Sequence, residues 1–346
     1  MQTQQLYKVI IQGKLEFGND RSFQKVVQLY NQRLETIHKR ELVFKISDEI
    51  FFEKDFTMNL GRFIGNISEK MWKNTILSLE YCAQFSFSGV INAWMTDNGK
   101  ILQYAHIEPL GEKSTIALYQ EGKRKSEEIG SEVEAIKMLT EAIEKYERHS
   151  QAYEKRGYMN YHLKNFEDAI YDFNKSIAFD QMNASSHYGL GRTYMVKKNF
   201  KEALICLEEA TKQSIALQPI YWAARRVKAI CYIELKDFEK AAFEYKLFTS
   251  RTFTESDPNF KHLAMAWFNY GKVFFALGQI DESLAAFDKS LALEPTAKKG
   301  THPELFMQRG LARKAAGKSD YILDFKKASE LGYEPATKLL AEIKLS

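Results

Sequence analysis

Residues 153–183 read YEKRGYMNYHLKNFEDAIYDFNKSIAFDQMN, and residues 187–210 repeat the pattern as HYGLGRTYMVKKNFKEALICLEEA. In both stretches small and aromatic residues recur at steps of three, four and seven, which places them on one face of a helix. Gly157 and Gly191 hold the same place in the pattern and are 34 residues apart. A fixed period of this size predicts a stacked array of helix pairs, because one pair cannot bury its apolar face alone.

The same period continues towards the end of the chain. A small residue stands at the same place in five second helices, and an aromatic residue replaces it in the sixth: Ala135, Ala169, Ala203, Ala241, Ser283 and Tyr321. The later intervals are longer, which predicts loop insertions at residues 214–220, 251–259 and 298–301, where Pro and Gly cannot continue a helix. After the last pair, residues 334–345 are predicted to form a helix that caps the array.

One unit gives the fullest match to a known repeat, through Trp267, Tyr270, Gly271, Phe274, Gly278, Phe287 and Pro295. These residues resemble the tetratricopeptide repeat family, whose pattern runs W-x2-L-G-x2-Y, then A-x3-F, then P. The resemblance covers roughly residues 112–346. Ser283 departs from it, and in the last unit Tyr321 replaces Ala and the turn near Ala316-Gly317 is one residue short. The resemblance implies an antiparallel, right-handed superhelix of about six helix pairs, with a concave groove that binds another protein.

The resemblance also implies which residues line that groove. In the family the concave face is built from the second, fifth, sixth, ninth, twelfth and thirteenth positions of each first helix. Counted along this sequence, those positions include aromatic, cationic and amide side chains: Tyr158, Tyr161, Tyr188, Arg192, Arg226, Phe268, Asn269 and Lys272. Aromatic and arginine residues dominate interface energetics, and arginine binds a carboxylate through two hydrogen bonds. We therefore expect a protein or peptide partner with acidic residues or a free carboxylate.

These positions have two other interpretations, of which one is disfavoured and one stays open. Some family members clamp a chaperone's C-terminal carboxylate with a set of Lys, Asn and Arg residues on three successive units. Only Arg226 and Asn269 match that set here, so the chaperone clamp is disfavoured. The alternative that stays open is that the groove residues are ordinary solvated surface, or that neighbouring parts of the array itself fill the groove.

Residues 1–110 lack the repeat and alternate between strand and helix patterns. Strands are predicted at residues 5–17, within 41–56, at 63–67, 90–95 and 100–107, and amphipathic helices at 22–38 and 68–85. Asn98-Gly99 predicts a tight hairpin between the last two strands. The order β-α-β(β)-α-β-β predicts a small α/β domain with its helices packed on one face of a sheet.

Short sequence motifs predict helix caps, a turn or bulge, and a domain boundary. Asp20 or Ser22 is expected to cap the first helix, and Ser131 is expected to form a capping box with Glu134. The glycine pair in Gly61–Gly65 favours a bulge or turn over a phosphate-binding loop. The sequence Glu108-Pro109-Leu110-Gly111 marks the best boundary, so we expect an α+β protein with a domain at residues 1–110 and a repeat array with its capping helix at 111–346.

Composition excludes several function classes. Lys and Arg number 49 and Asp and Glu 45, a net charge of +4 without a concentrated basic stripe, so nucleic acid is not expected as a partner. No apolar run reaches the roughly 18 residues that cross a bilayer, and the N-terminus does not read as a signal peptide, so a cytoplasmic location away from membranes is expected. Neither the three cysteines nor the seven histidines show metal-ligand spacing, and no cofactor motif occurs.

These observations favour a non-enzymatic interaction scaffold that binds a polypeptide in the repeat groove. Two alternatives stay open. Residues 1–110 could hold the site of an enzyme or ligand sensor, with the repeats as a targeting arm; Cys82 and His106 are the pair that a cysteine nucleophile would need. The array could also be a self-assembly module, a homo-oligomer whose groove takes a neighbouring subunit.

Overall fold

The computed structural model describes residues 5–110, 113–293 and 303–345. Within these ranges it contains a five-stranded sheet with two α-helices, followed by thirteen further α-helices. The predicted α+β class is therefore confirmed. The chain divides into two compact units, Met1–Gly189 and Leu190–Ser346. The predicted domain boundary at residue 110 lies inside the first unit and stays a prediction.

The sheet belongs to the first unit and is antiparallel, with strand order β2-β3-β1-β4-β5. Its strands are β1 (Leu6–Glu16), β2 (Phe51–Phe52), β3 (Thr57–Ser68), β4 (Ser88–Asp97) and β5 (Lys100–Ile107). Asn98 and Gly99 both have positive φ, 48° and 79°, as the tight turn of a two-residue hairpin requires. The predicted hairpin is thus confirmed.

Two strand predictions differ from the structure. Residues 41–56 form only the short strand β2, flanked by 3₁₀ turns at Ser47–Glu49 and Glu53–Asp55. In contrast, β3 is 12 residues long and pairs with β1 far beyond the predicted 63–67. Gly61 and Arg62 lie opposite Gln12, where the register of β1 and β3 shifts, so the glycine pair belongs to a bulged strand.

Helices α1 (Asp20–Thr36) and α2 (Glu69–Ala83) share one hydrophobic core with the sheet. Val9, Ile11 and Leu15 of β1 are fully buried in that core. The cap predicted for α1 is wrong, because Asn19 accepts the hydrogen bond from the Ser22 backbone N–H. Asn19 stands one residue before Asp20, so its amide oxygen lies where the first free N–H groups of α1 point.

The remaining helices follow in sequence: α3 (Ser114–Ser126), α4 (Glu132–Lys145), α5 (Ser150–His162), α6 (Phe166–Phe179), α7 (Ala184–Val196), α8 (Phe200–Gln213), α9 (Pro219–Glu234), α10 (Phe238–Thr249), α11 (Leu263–Ala276), α12 (Ile280–Leu293), α13 (Pro303–Ala315), α14 (Tyr321–Glu330) and α15 (Glu334–Leu345). The final helix has the bounds that the sequence predicts. The loop at 251–259 is confirmed, whereas α9 already begins at Pro219, inside the loop predicted at 214–220. The insertion predicted at 298–301 lies outside the described residues.

One further local prediction is wrong. Ser131 precedes α4 but does not bind a backbone N–H of that helix. Its hydroxyl instead donates to Glu128 Oε2 at 3.4 Å, in the turn that follows α3. Ser131 has φ −102° and ψ 17°, outside the extended region that an N-cap residue typically adopts, and the capping box with Glu134 does not form.

Glycine permits a close crossing of the two helices within a pair. A Cβ on Gly157 would lie 2.9 Å from the Phe173 ring, and a Cβ on Gly271 would lie 2.6 Å from the Phe287 ring. In the last pair Gly310 meets Phe325 in the same way, but the two residues are one position closer in sequence. This shorter spacing agrees with the short turn predicted near residue 317.

The turn between the two helices of a pair requires a left-handed residue. Gly278 has φ 75° there, whereas Lys198 and Lys236 adopt φ 62° and 60°. A left-handed conformation costs a residue with a Cβ roughly 1–2 kcal/mol, which is partly offset by the greater entropy of glycine in the unfolded chain. We expect Lys198→Gly and Lys236→Gly each to raise the free energy of unfolding by about 0.5–1 kcal/mol in urea titrations. Gly278→Lys is the matched control and should lower it by a similar amount; equal stability of all three variants would contradict this explanation.

A polar cluster joins the sheet to the first repeats within Met1–Gly189. Glu16, at the end of β1, accepts hydrogen bonds from Lys14 Nζ at 2.8 Å and from the Tyr146 hydroxyl at 2.7 Å. Lys14 Nζ also donates to the Phe179 carbonyl at 2.7 Å, and the Gly89 backbone N–H donates to Gln151 Oε1 at 3.0 Å. We call this set the polar joint. It binds β1 and β4 to the ends of α4 and α6 and to the first turn of α5.

Candidate functional site

In Leu190–Ser346, positive charges converge on one histidine. His262 ends a 3₁₀ turn, Phe260–His262, directly before α11. Burial, followed by the charges of Arg226, Lys261 and Arg192, lowers its pKa from 6.5 to about 4. The imidazole is therefore neutral at pH 7, with three cations close enough to act on it. We call Arg192, Arg226, Lys261 and His262 the cationic cluster.

The cluster is built from successive repeats. Arg192 lies on α7, Arg226 on α9, and the Lys261-His262 pair stands where the chain enters α11. Both arginines are half-buried. The prediction from sequence found the two arginines but missed Lys261 and His262, because counting helix positions does not cover a 3₁₀ turn between pairs. A basic dipeptide directly before a helix was the signal available.

The three groove residues predicted on α11 have different environments. Phe268 is only 3% exposed, and its ring centroid lies 5.9 Å from that of Phe287. The expectation of an exposed aromatic at this position is therefore wrong: the ring fills the space between α11 and the second helix of the pair. Lys272 Nζ donates to Glu304 Oε1 at 2.9 Å, so its charge is largely balanced. Asn269, beside them, is half-buried.

The three predicted tyrosines lie in Met1–Gly189 and are all partly buried. The Tyr158 hydroxyl donates to the Ser185 carbonyl at 2.7 Å, and its ring meets Phe173 edge-on at 5.1 Å. Tyr161 packs edge-on against Phe166 at 5.9 Å. Tyr158 thus joins α5 to the start of α7, so a smaller part of its side chain is accessible to a partner than for an exposed tyrosine. The binding roles of Tyr158, Tyr161 and Tyr188 stay predictions.

The cysteine and histidine considered for catalysis do not meet. Cys82 lies in the core between α2 and the sheet, where burial raises the pKa of its thiol to about 12. His106 pairs with Asn92 across β4 and β5, and its neighbour Ile107 points into that same core. Because successive residues of a strand face opposite sides, His106 lies on the other face of the sheet from Cys82. Its Nε2 lies 3.1 Å from Glu108 Oε1 instead.

In the part of the chain that the structure describes, neither a metal-ligand cluster nor a membrane-spanning helix is found. Among those residues, no group of three or more His, Cys, Asp or Glu side chains is arranged to hold a metal ion. None of the helices there combines the length and apolar character that a membrane span requires.

Comparison with known families identifies the repeats. Tetratricopeptide repeat family models match residues 134–184, 188–246 and 264–297. These ranges contain α4 to α6, most of α7 to α10, and α11 to α12, the elements in which the period was found. These matches show tetratricopeptide repeats within residues 134–297, as the sequence resemblance predicted. The family matches begin at residue 134, so the N-terminal sheet lies outside them.

Solved structures resemble parts of this chain at low sequence identity. PilF of Pseudomonas aeruginosa is 15% identical, with a TM-score of 0.54 over 66% of this chain and 98% of its own. YrrB, described as a TPR protein with an unusual peptide-binding site, is 19% identical, with a TM-score of 0.49 over 59% of this chain and 97% of its own. A tetratricopeptide repeat protein from Parabacteroides merdae is 15% identical, with a TM-score of 0.41 over 93% of this chain and 98% of its own. No curated protein matches this chain in sequence.

Proposed function

We propose that the chain is a non-catalytic protein-interaction scaffold that binds an acidic polypeptide segment at the cationic cluster of Leu190–Ser346. The repeats support the general role, since proteins of this family are mostly interaction modules. The specific proposal is supported by the positions of Arg192 on α7, Arg226 on α9 and the Lys261-His262 pair at the entry to α11, together with the effect of these three cations on the pKa of His262. The free cysteines Cys82, Cys206 and Cys231 support a reducing compartment such as the cytoplasm.

The chemistry of the cluster favours a carboxylate. Each arginine presents a planar fork of donors that can hold a carboxylate through two hydrogen bonds. Neutral His262 can add one N–H donor. Lys272 is a weaker candidate than the sequence suggested, because Glu304 already pairs with it.

Charge reversal in the cluster tests the proposal. The probe is a fluorescein-labelled decapeptide of glutamate, with fluorescence anisotropy measured on the full chain. We expect saturable binding that weakens as salt is raised, and at least tenfold weaker binding by Arg192→Glu and by Arg226→Glu. The melting temperatures of both variants should stay close to that of the parent, because both side chains are partly exposed.

Three controls make the result specific. Lys326→Glu makes the same charge change at an exposed position on α14 and should bind within twofold of the parent. A decapeptide of lysine should not bind. The amidated glutamate peptide shows whether a free C-terminal carboxylate contributes. Equal binding by the parent, Arg192→Glu and Arg226→Glu would exclude the cluster as the site.

A further inference from the structure

A second surface of Leu190–Ser346 forms a cleft of about 630 Å³ between α10, α11 and α12. Three rings of α11 form a stacked ladder along it. The centroids of Trp267 and Tyr270 are 5.9 Å apart, and those of Tyr270 and Phe274 are 4.1 Å apart. Lys289 Nζ lies 4.2 Å from the Trp267 ring centroid. Tyr270 is buried, whereas Trp267 and Phe274 are partly buried and line the cleft, with the Lys289 cation at its edge.

This cleft lies apart from the predicted groove. Trp267, Tyr270 and Phe274 follow one another at steps of three and four, which places them on one stripe of α11. Asn269 and Lys272 fall on the opposite side of the helix by the same periodicity. The cleft therefore does not depend on the function proposed for the cationic cluster.

The rim of the cleft indicates what kind of ligand it fits. Its polar and small rim residues are exposed: Lys246, Ser250, Gln279, Glu282, Ala285 and Lys289. An open cleft of this kind cannot enclose most of a small molecule's surface, as ligand pockets do, but it fits a chain segment that continues past both ends. Two lysines against one glutamate give the rim a net positive charge, which complements an acidic segment.

We propose that this cleft binds a partner polypeptide through an aromatic or large aliphatic side chain with an Asp or Glu beside it. The apolar side chain packs on the ring ladder, where desolvated aromatic contacts supply most of an interface's binding energy. The neighbouring carboxylate pairs with Lys246 or Lys289. We call this site the aromatic cleft; it is lined by Trp267, Tyr270, Phe274, Lys246, Ala285 and Lys289, among others.

The test selects ligands on the full-length chain. A display library of random dodecapeptides is selected on the parent and counter-selected on a Lys246→Glu/Lys289→Glu variant. We expect the enriched peptides to share a large apolar residue next to Asp or Glu. Their affinity, measured by anisotropy, should fall at least tenfold for the double variant and for Ala285→Gln, which places a longer neutral side chain in the cleft. Lys326→Glu is again the control and should change affinity less than twofold.

Competition separates this proposal from the previous one. Excess glutamate decapeptide, the probe of the cationic cluster, should not displace a selected peptide, because the two surfaces share no residue. The cleft proposal is overturned if selection enriches no sequence, if the peptides lack acidic residues, or if Ala285→Gln and the lysine variants bind them like the parent. Displacement by the glutamate decapeptide would assign those peptides to the cationic cluster instead.

Discussion

Replacing Glu16 with alanine should lower the free energy of unfolding by about 3–5 kcal/mol, because it removes one member of a buried ion pair. The Glu16 side chain is only 2% exposed, and Lys14 Nζ lies 2.8 Å from its Oε1. Its other oxygen accepts the hydrogen bond from Tyr146. Without the carboxylate, the Lys14 ammonium and the Tyr146 hydroxyl both lose a partner inside the polar joint, and each unpaired buried group adds a penalty.

Urea unfolding followed by circular dichroism measures this loss. Glu49→Ala is the matched control: the same substitution at an exposed position of the same unit should change stability by less than about 0.5 kcal/mol. Tyr146→Phe removes one hydrogen bond to a charged group. It should lower the free energy of unfolding by about 1.5–3 kcal/mol, a loss between those of the other two variants. If Glu16→Ala were as stable as Glu49→Ala, the polar joint would not hold the sheet to the repeats.

Replacing Asp180 with asparagine should stabilise the protein at neutral pH. Burial raises the pKa of this carboxyl from 3.8 to about 6, opposed by Lys14 and by the Met182 backbone N–H and reinforced by Glu16 and Glu154. At about 1.4 kcal/mol per pKa unit, keeping the carboxylate charged at pH 7 costs the folded state up to about 3 kcal/mol. The Met182 backbone N–H donates to Asp180 Oδ1 at 3.1 Å. Asparagine keeps an oxygen that can accept this hydrogen bond, and it carries no charge.

The sign of the pH dependence is specific. A carboxyl whose pKa is raised on folding costs nothing below its unfolded pKa of 3.8; the destabilisation builds as the pH rises from 3.8 to about 6 and is complete above that. The stability gain of Asp180→Asn should therefore be largest at pH 7 and fall towards zero near pH 4. Buried His149, whose pKa burial lowers to about 3, destabilises both proteins equally as the pH falls below 6.5, so it cancels in the difference. A gain that does not change between pH 4 and pH 7 would contradict the raised pKa.

The sequence predicts the parts of this structure that depend on local pattern. The helix pairs, the capping helix and the Asn98-Gly99 hairpin are each specified by residues close together in the chain. The length of β3 was not predictable in this way, because its glycines and asparagines become strand only through pairing with β1. The polar joint was not predicted for the same reason, because Glu16 and Tyr146 are 130 positions apart in the sequence.

The candidate site was predicted only in part. Family position counting located Arg192 and Arg226, since their register follows from the repeat. It placed Phe268 on an open face, but the neighbouring second helix brings Phe287 against that ring. It could not find His262, because the insertion between the pairs has its own conformation, which the repeat pattern does not specify.

The most direct measurement of the proposed function follows the arginine side chains themselves. In a ¹⁵N-labelled full chain, the Nε–H signals of Arg192 and Arg226, assigned from their Lys variants, are recorded during titration with the glutamate decapeptide. We predict that these two signals shift together and saturate at the dissociation constant measured by anisotropy. Saturable binding that leaves both signals in place while residues elsewhere shift would contradict the assignment of the cationic cluster as the partner site.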